Sequence, residues 1–183
     1  PDDESLKNSR ILSQIAQLDK CKSIYTTNFD NFIERALILS GKNVKVIVSE
    51  KDMGAHTWDH EVVKFHGDFN NPEKMVLSES DYERRIRLED ELDARLRSDI
   101  LGRAILFIGY SFRDPNVSYV FRMINDRFKD LPNSNTGKRA YIIFADPSDF
   151  EMKLFSERKI EIIPISGARR EKEISQILKE MRE

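Results

Sequence analysis

The sequence lacks several features that would point directly to a common function. It contains one cysteine, Cys21, which excludes an internal disulfide and a zinc site built on paired Cys-x-x-Cys motifs. Its seven glycines are too scattered to write a Gly-x-Gly-x-x-Gly or Walker-type phosphate loop. No apolar run approaches the roughly 20 residues of a membrane helix, and the first residues do not show the basic-then-apolar pattern of a signal peptide. We therefore expect a cytoplasmic location.

An excess of charge of one sign is also missing. Thirty Lys plus Arg against 32 Asp plus Glu give a net charge of -2, so nothing indicates binding to nucleic acid or to an anionic membrane. Hydrophobic residues make up 39% of the chain, enough to bury a core and too many for a disordered protein. The 183 residues contain no repeat or proline-rich linker, which favours a single domain over residues 1–183. Because the first residue is Pro1 and not Met, we expect a segment of a longer protein.

Apolar, β-branched runs alternate with helical periodicity along the chain, the pattern of a mainly parallel sheet with helices on both faces. The strands that we predict are residues 23–27, 44–48, 62–65, 104–108, 141–144 and 160–163. The helices that we predict are residues 4–19, 30–39, 79–100, 114–128, 148–158 and a last one from 170. Since the run at 104–108 is the most apolar, we expect it to form a central strand buried on both faces. The predicted fold class is α/β.

Polar residues gather directly after several of the predicted strands. Residues 26–30 read Thr-Thr-Asn-Phe-Asp, residues 65–68 read Phe-His-Gly-Asp, and residues 109–114 read Gly-Tyr-Ser-Phe-Arg-Asp. Asp146 follows a fourth strand. Ligands of parallel sheets bind outside the carboxyl ends of the strands, so we expect these groups to lie at one edge of the sheet. An amide, an imidazole and a glycine-serine turn converging at one edge indicate a functional site.

Each of these groups also has a structural interpretation. Asn28 or Asp30 can cap the helix that follows, which is the commoner role for these residue types after a strand. His66 directly precedes Gly67 and can be a turn residue or a structural histidine. Residues 109–111 can form only a tight turn that leaves the strand. Convergence of the groups is what favours function over these alternatives.

In their order and spacing, the motifs resemble the NAD-binding core of the sirtuin superfamily, and more closely the SIR2-like domains of bacterial anti-phage defence proteins. Residues 27–30 resemble the sirtuin Gln-Asn-Ile-Asp motif, with Thr in place of Gln. Residues 65–67 resemble the Leu-His-Gly motif, and residues 109–116 resemble the Gly-Tyr-Ser-Phe-x-Asp-Pro-Asn motif of SIR2-like proteins. The resemblance covers nearly the whole chain and implies a Rossmann-like sheet.

The resemblance also implies roles for individual residues. Asn28 would position a water molecule or a ribose hydroxyl, and His66 would be the general base that accepts a proton near neutral pH. The remaining candidates would bind NAD: Asp30 at the nicotinamide carboxamide, Gly109 and Ser111 at the ribose and phosphates, Asp146 at the adenosine ribose, with Thr27, Gly67 and Tyr110 beside them.

Two departures from the sirtuin pattern change the expected activity. The zinc-ribbon cysteines of protein deacylases are missing, so we expect no zinc, no zinc-ribbon small domain and no deacylation. The family's initial strand and Gly-Ala-Gly-x-Ser phosphate loop have no match either, so we expect a domain truncated at its N-terminus. With water as the acceptor, the expected reaction is hydrolysis of NAD to ADP-ribose and nicotinamide. We expect it of the full-length protein, with flanking domains and a homo-oligomeric state, and expect little turnover by this chain alone.

Two other functions stay open. One is a non-catalytic sensor of NAD or of an NAD-derived nucleotide, against which the presence of both Asn28 and His66 argues. The other is an interaction surface on the charged helix at 79–99, for which a solvated face is the simpler interpretation.

Overall fold

The structure is a computed structural model that describes residues 1–54, 57–86, 91–110, 120, 122 and 140–182. The candidate residue Ser111 lies outside the described residues, as does nearly all of the predicted helix at 114–128. The chain divides into two compact units. The first consists of Pro1–Asp81 with Glu171–Glu183, and the second consists of Tyr82–Arg170.

A parallel three-stranded sheet forms the centre of the first unit. Its strands are β1 (Ser23–Thr26), β2 (Val44–Ile47) and β3 (His60–Lys64), in the order β1-β3-β2. Thr26 pairs with Lys64 in the register between β1 and β3, and Ile47 pairs with Val63 between β2 and β3. The carboxyl ends of the three strands therefore lie at one edge of this sheet.

Helices α1 (Asp3–Asn8), α2 (Arg10–Ile15) and α3 (Phe32–Leu39) belong to the same unit. The predicted single helix at 4–19 is wrong, because Ser9 ends α1 and caps α2 through its hydroxyl, which accepts a hydrogen bond from the Leu12 N–H at 3.4 Å. Serine side chains compete with helical backbone bonds in this way. The core between α3 and the sheet consists of buried Leu37 and Val62 with Ala16 of the α2 end.

The second unit contains the other parallel sheet. Its strands are β4 (Ile105–Ile108), β5 (Ala140–Ala145) and β6 (Ile160–Ile165), in the order β4-β5-β6. All six predicted strands and the α/β class are thus confirmed. The run at 104–108 is not central in this sheet, since β5 lies between the other two described strands. The prediction that this strand is buried on both faces is also wrong, since Phe107 alone is buried in β4 and its other three residues are half-buried. An apolar run indicates a strand, but it does not specify how many neighbouring elements cover it.

The charged segment before β4 forms α4 (Glu79–Ile86) and α5 (Glu91–Gly102), with residues 87–90 outside the description. Helix α5 buries its apolar stripe, but it also buries Asp93, contrary to a purely solvated polar face. Helix α6 (Asp149–Glu157) begins with a capping box between Ser148 and Glu151. Helix α7 (Arg170–Glu180) follows β6. None of the described helices has the length and apolarity of a membrane span.

Candidate functional site

The loop after β1 is shaped by two side chains that bond to its own backbone. The hydroxyl of buried Thr26 accepts a hydrogen bond from the Asn28 N–H at 3.1 Å. The Asp30 Oδ1 accepts one from the Phe32 N–H, also at 3.1 Å, at the start of α3. Asp30 therefore supports the first turn of the helix, as one structural interpretation of the sequence expected. The Asn28 side chain is exposed and makes no hydrogen bond to the described part of the chain.

The turn after β3 places His66 in the interior and requires glycine beside it. His66 is 4% exposed, and its ring lies 6.5 Å from the Phe29 ring, measured between centroids. Gly67 has a φ of +78°, and a Cβ there would lie 2.5 Å from the carbonyl oxygen of Lys74. Both the left-handed backbone and the close approach exclude a larger residue at this position. The His66 carbonyl accepts from the Val76 N–H at 3.0 Å, which closes the loop that follows.

These two loops are in direct contact at the carboxyl edge of the sheet. The Phe65 N–H donates to the Thr26 carbonyl at 2.9 Å, extending the pairing of β1 with β3 by one residue. The Phe69 N–H donates to the Phe29 carbonyl at 3.4 Å, and the two rings lie 6.0 Å apart. The structure thus brings residues 27–30 and 66–67 together on adjacent loops.

A buried ion pair beneath this edge was not identified from the sequence. Lys64, the last residue of β3, is 1% exposed, and Glu34 of α3 is 5% exposed. The Lys64 Nζ lies 3.0 Å from Glu34 Oε1 and also donates to the backbone carbonyl of Asp30. The available signals were a lysine inside the apolar run Val-Val-Lys-Phe and a glutamate within the apolar stripe of α3. Charges buried to this degree require partners, which is what each supplies to the other.

A cleft of about 370 Å³ opens beside the same loops. Its lining comes from α3, the end of β2 and the loop after His66, and comprises Asn31, Glu34, Arg35, Ile38, Val46, Val48, Asp52, Asp68, Asn70 and Asn71. Burial acts to raise the pKa of Asp52, but hydrogen bonds from the Val48 and Ser49 N–H groups outweigh it and hold this pKa below its usual 3.8. Asn28 and His66 are not among the lining residues.

The candidates in the second unit lie at the carboxyl ends of β4 and β5. Gly109 has a φ of +78°, and no described atom lies within 4 Å of the position that its Cβ would occupy. The left-handed backbone favours glycine there. Tyr110 packs its ring edge-on against Phe107 at a centroid distance of 6.0 Å.

Asp146 adopts an unusual backbone conformation, with a φ of +47°. Its carboxylate oxygens accept from the Gly167 N–H at 3.2 and 3.1 Å, and its own N–H donates to the Ile165 carbonyl at 2.9 Å. Asp146 therefore ties the ends of β5 and β6 together, and Ser148, not Asp146, caps α6. Its predicted contact with an adenosine ribose stays a prediction.

No group of three or more His, Cys, Asp or Glu side chains is arranged to hold a metal ion in the part of the chain that the structure describes.

Comparison with known proteins adds independent findings. The sequence profile of the SIR2-like domain matches residues 22–163. The chain is 33% identical over 120 residues to the NAD(+) hydrolase ThsA of Cytobacillus dafuensis, covering 64% of this chain and 24% of that protein. It is 31% identical over 125 residues to the NAD(+) hydrolase ThsA of Bacillus cereus strain MSX-D12, covering 67% and 25%. It is 30% identical over 131 residues to the defense-associated sirtuin 2 of Bacillus subtilis, covering 70% and 12%. The chain thus spans a quarter or less of the length of these relatives.

Proposed function

We propose, since this chain belongs to the SIR2-like domain family, that it is the core of an enzyme that hydrolyses NAD to ADP-ribose and nicotinamide. The observation that carries this proposal is the presence of a buried histidine, His66, and an exposed amide, Asn28, that bonds to no described residue, on adjacent loops at the carboxyl edge of one parallel sheet. The names of the relatives, two of them NAD(+) hydrolases, support the same reaction.

The chemistry requires few groups. The bond between C1′ of the ribose and the nicotinamide nitrogen breaks, and nicotinamide leaves as a neutral molecule through an oxocarbenium-like state. The oxygen of a water molecule then bonds to C1′, and His66 accepts the proton that this water loses. The Asn28 amide orients the water or a ribose hydroxyl. Asp30 binds through Oδ1 to the Phe32 N–H, which leaves Oδ2 for the carboxamide of nicotinamide.

The proposed contacts of the second unit rest on the family motifs. Gly109 would allow the backbone to approach the cofactor, and its left-handed backbone, with a φ of +78°, is compatible with that role. Tyr110 and Ser111 would lie against the ribose and phosphates. Asp146 would accept from the adenosine ribose with the lone pairs that Gly167 does not use.

The wider context of the activity is part of the same proposal. The relatives are four or more times as long as the matched segment, so we place residues 1–183 in a longer, oligomeric protein with flanking domains. The defence-associated name of one relative supports a role in bacterial anti-phage defence, and a cytoplasmic location is part of the same proposal.

The test uses the full-length gene product that includes these 183 residues. Nicotinamide and ADP-ribose are quantified by chromatography after incubation with NAD. We expect Asn28→Ala to lower the rate about 10²-fold, because an amide that orients the attacking water is lost. Asn31→Ala is the matched control, since Asn31 lies in the same loop and makes no capping bond to α3.

Equal rates for parent and Asn28→Ala contradict the catalytic assignment. Binding of NAD by calorimetry without release of nicotinamide from the parent contradicts hydrolysis and favours the sensor function.

A further inference from the structure

Lys64 joins three segments of the first unit that the proposed reaction needs in fixed relation. It ends β3 two residues before His66, its ammonium group donates to the Asp30 carbonyl, and it pairs with Glu34 one turn into α3. Asp30 follows Asn28 by two residues, so the carbonyl that Lys64 binds belongs to the loop that carries the candidate amide. One buried cation thus contacts the strand of the proposed base and the loop of the proposed amide.

Stability alone does not account for a cation in this place. Removing two charges from water costs about as much as their attraction returns, and apolar residues of similar volume often replace a buried ion pair without loss. Val62 and Val63 on the same strand show that this region of β3 otherwise accepts fully buried apolar side chains. The feature that an apolar residue could not reproduce is the hydrogen bond from Lys64 to the Asp30 carbonyl.

In the described part of the chain, the other hydrogen bonds of loop 27–31 are either local or long. Its hydrogen bonds to side chains are local: the Asn28 N–H donates to the Thr26 hydroxyl, and the Phe32 N–H donates to the Asp30 carboxylate. The backbone bond from Phe69 to Phe29 is long, at 3.4 Å. Among the described residues, the Lys64 ammonium therefore supplies a buried hydrogen bond from β3 to this loop, beside the ring contact of Phe29 with His66.

We propose that Lys64 is a positioning residue whose ammonium group holds loop 27–31, and with it Asn28 and Asp30, in the orientation that hydrolysis beside His66 requires. The proposal rests on the proposed NAD hydrolase function. Glu34 holds the Lys64 ammonium group in place through the ion pair at 3.0 Å, and it has no direct part in orienting the loop.

Two variants of the full-length protein separate positioning from charge compensation. Lys64→Met combined with Glu34→Met removes both charges, so the fold loses no counter-ion and should melt within a few degrees of the parent. We expect its kcat for NAD to fall between about 10- and 100-fold while KM changes less than about threefold, because displacement of a catalytic group by about 1 Å lowers the rate to this extent. Glu34→Gln keeps the lysine, whose amine still donates to Asp30, and should retain most of the activity.

Lys45→Met is the matched control, because Lys45 is also a strand lysine but lies half-buried on β2, with its ammonium 6.0 Å from the Trp58 ring. It should leave kcat unchanged. Rates are compared per folded molecule, with the folded fraction of each variant taken from near-UV circular dichroism.

Hydrogen exchange followed by mass spectrometry gives a readout that does not depend on the substrate. In the double variant, peptides covering 27–32 should exchange faster than in the parent, while those covering β2 should not change. If NAD is not hydrolysed by the parent, the proposed function fails and the exchange result alone decides whether Lys64 anchors the loop. Parent-like exchange at 27–32 in the folded double variant, or equal losses of activity in Glu34→Gln and the double variant, would overturn the proposal.

Discussion

The two ends of strand β3 each carry a buried histidine, and the two rings are held in different ways. His60, at the amino end, is 1% exposed, and its Nδ1 lies 2.8 Å from the Cys21 carbonyl oxygen just before β1. Because a carbonyl only accepts, Nδ1 must donate, which fixes the orientation of this ring. His66, at the carboxyl end, is also buried but packs against the Phe29 and Phe65 rings where two loops leave the sheet.

The two edges of the sheet at which these histidines lie also differ in their side-chain contacts. At the amino edge, backbone groups and short side-chain bonds connect the segments, as where Asn43 donates to the Asp59 carboxylate at 2.8 Å and accepts from the Asp59 N–H at 2.9 Å. At the carboxyl edge, the Asn28 side chain is exposed, and the Lys64 side chain at the end of β3 is buried. Burial therefore does not distinguish the proposed base, His66, from His60. The edge of the sheet at which the histidine lies is the informative property.

The largest expected effect comes from exchanging the two histidines in turn for alanine. In the full-length protein, His66→Ala should lower NAD hydrolysis by about 10²- to 10⁴-fold, since a general base contributes that much. His60→Ala should lower the free energy of unfolding by about 1–3 kcal/mol, because a buried bonded ring is lost, and should leave kcat per folded molecule near that of the parent. Steady-state kinetics and urea unfolding provide the two measurements. Similar kcat values for both variants would remove the functional distinction between the edges.

A second expected effect compares two glycines that share a φ of +78°. Gly41 leads towards the amino edge and has no described atom within 4 Å of an added Cβ, whereas at Gly67 that atom would lie 2.5 Å from the Lys74 carbonyl oxygen. Gly41→Ala should therefore cost only the left-handed strain, about 1–2 kcal/mol. Gly67→Ala should cost about 1–3 kcal/mol more, because the backbone of the turn must also move. Urea unfolding of the two variants checks the order, and an equal loss would show that the turn after His66 accommodates a Cβ.

The smallest expected effect concerns two carboxylates, one near each edge. The pKa of Asp52 is held below 3.8 by backbone N–H groups at the end of β2, against the opposing effect of burial. The pKa of Asp19 is lowered by Lys42, whose Nζ lies 2.7 Å away, before β1. In both cases the folded-state pKa lies below the unfolded one, so the stabilisation is fully present above the unfolded pKa and is lost as the pH falls through the folded value.

Asp52→Asn should therefore destabilise the chain by about 1 kcal/mol or less at pH 7 and by less at pH 3. Asp19→Asn should have an effect that disappears in 1 M salt, because an exposed ion pair is screened while backbone hydrogen bonds are not. Thermal melting at two pH values and two salt concentrations measures both. A salt-sensitive Asp52→Asn effect would contradict the role of the backbone N–H groups.

The strands could be predicted from the sequence because short β-branched runs, such as the one at 44–48, favour strands over other structures. The helix break at Ser9 could not be predicted. A serine within a helical pattern gives the same sequence signal whether its hydroxyl bonds to solvent or to the backbone. The placement of residues 27–30 and 66–67 at one edge of a sheet followed from the prediction of parallel strands. The sequence could not predict which of Asp30 and Asn28 bonds to the start of α3, because both residue types cap helices equally well.

The contacts that escaped prediction are long-range ones made by single side chains. Asp146 bonds to Gly167, 21 residues further along the chain, and no local pattern encodes such a pair. The predicted ribose contact of Asp146 and the roles of Tyr110 and Thr27 stay predictions for the same reason, since only a bound ligand would define them.

The buried pair of Glu34 and Lys64 limits which substitutions this sequence can accept during evolution. Neither charge is readily left alone in the interior, so the least destabilising exchange replaces both positions together. We therefore expect substitutions at positions 34 and 64 to occur together. A substitution observed at either of them carries meaning only when the other is read beside it.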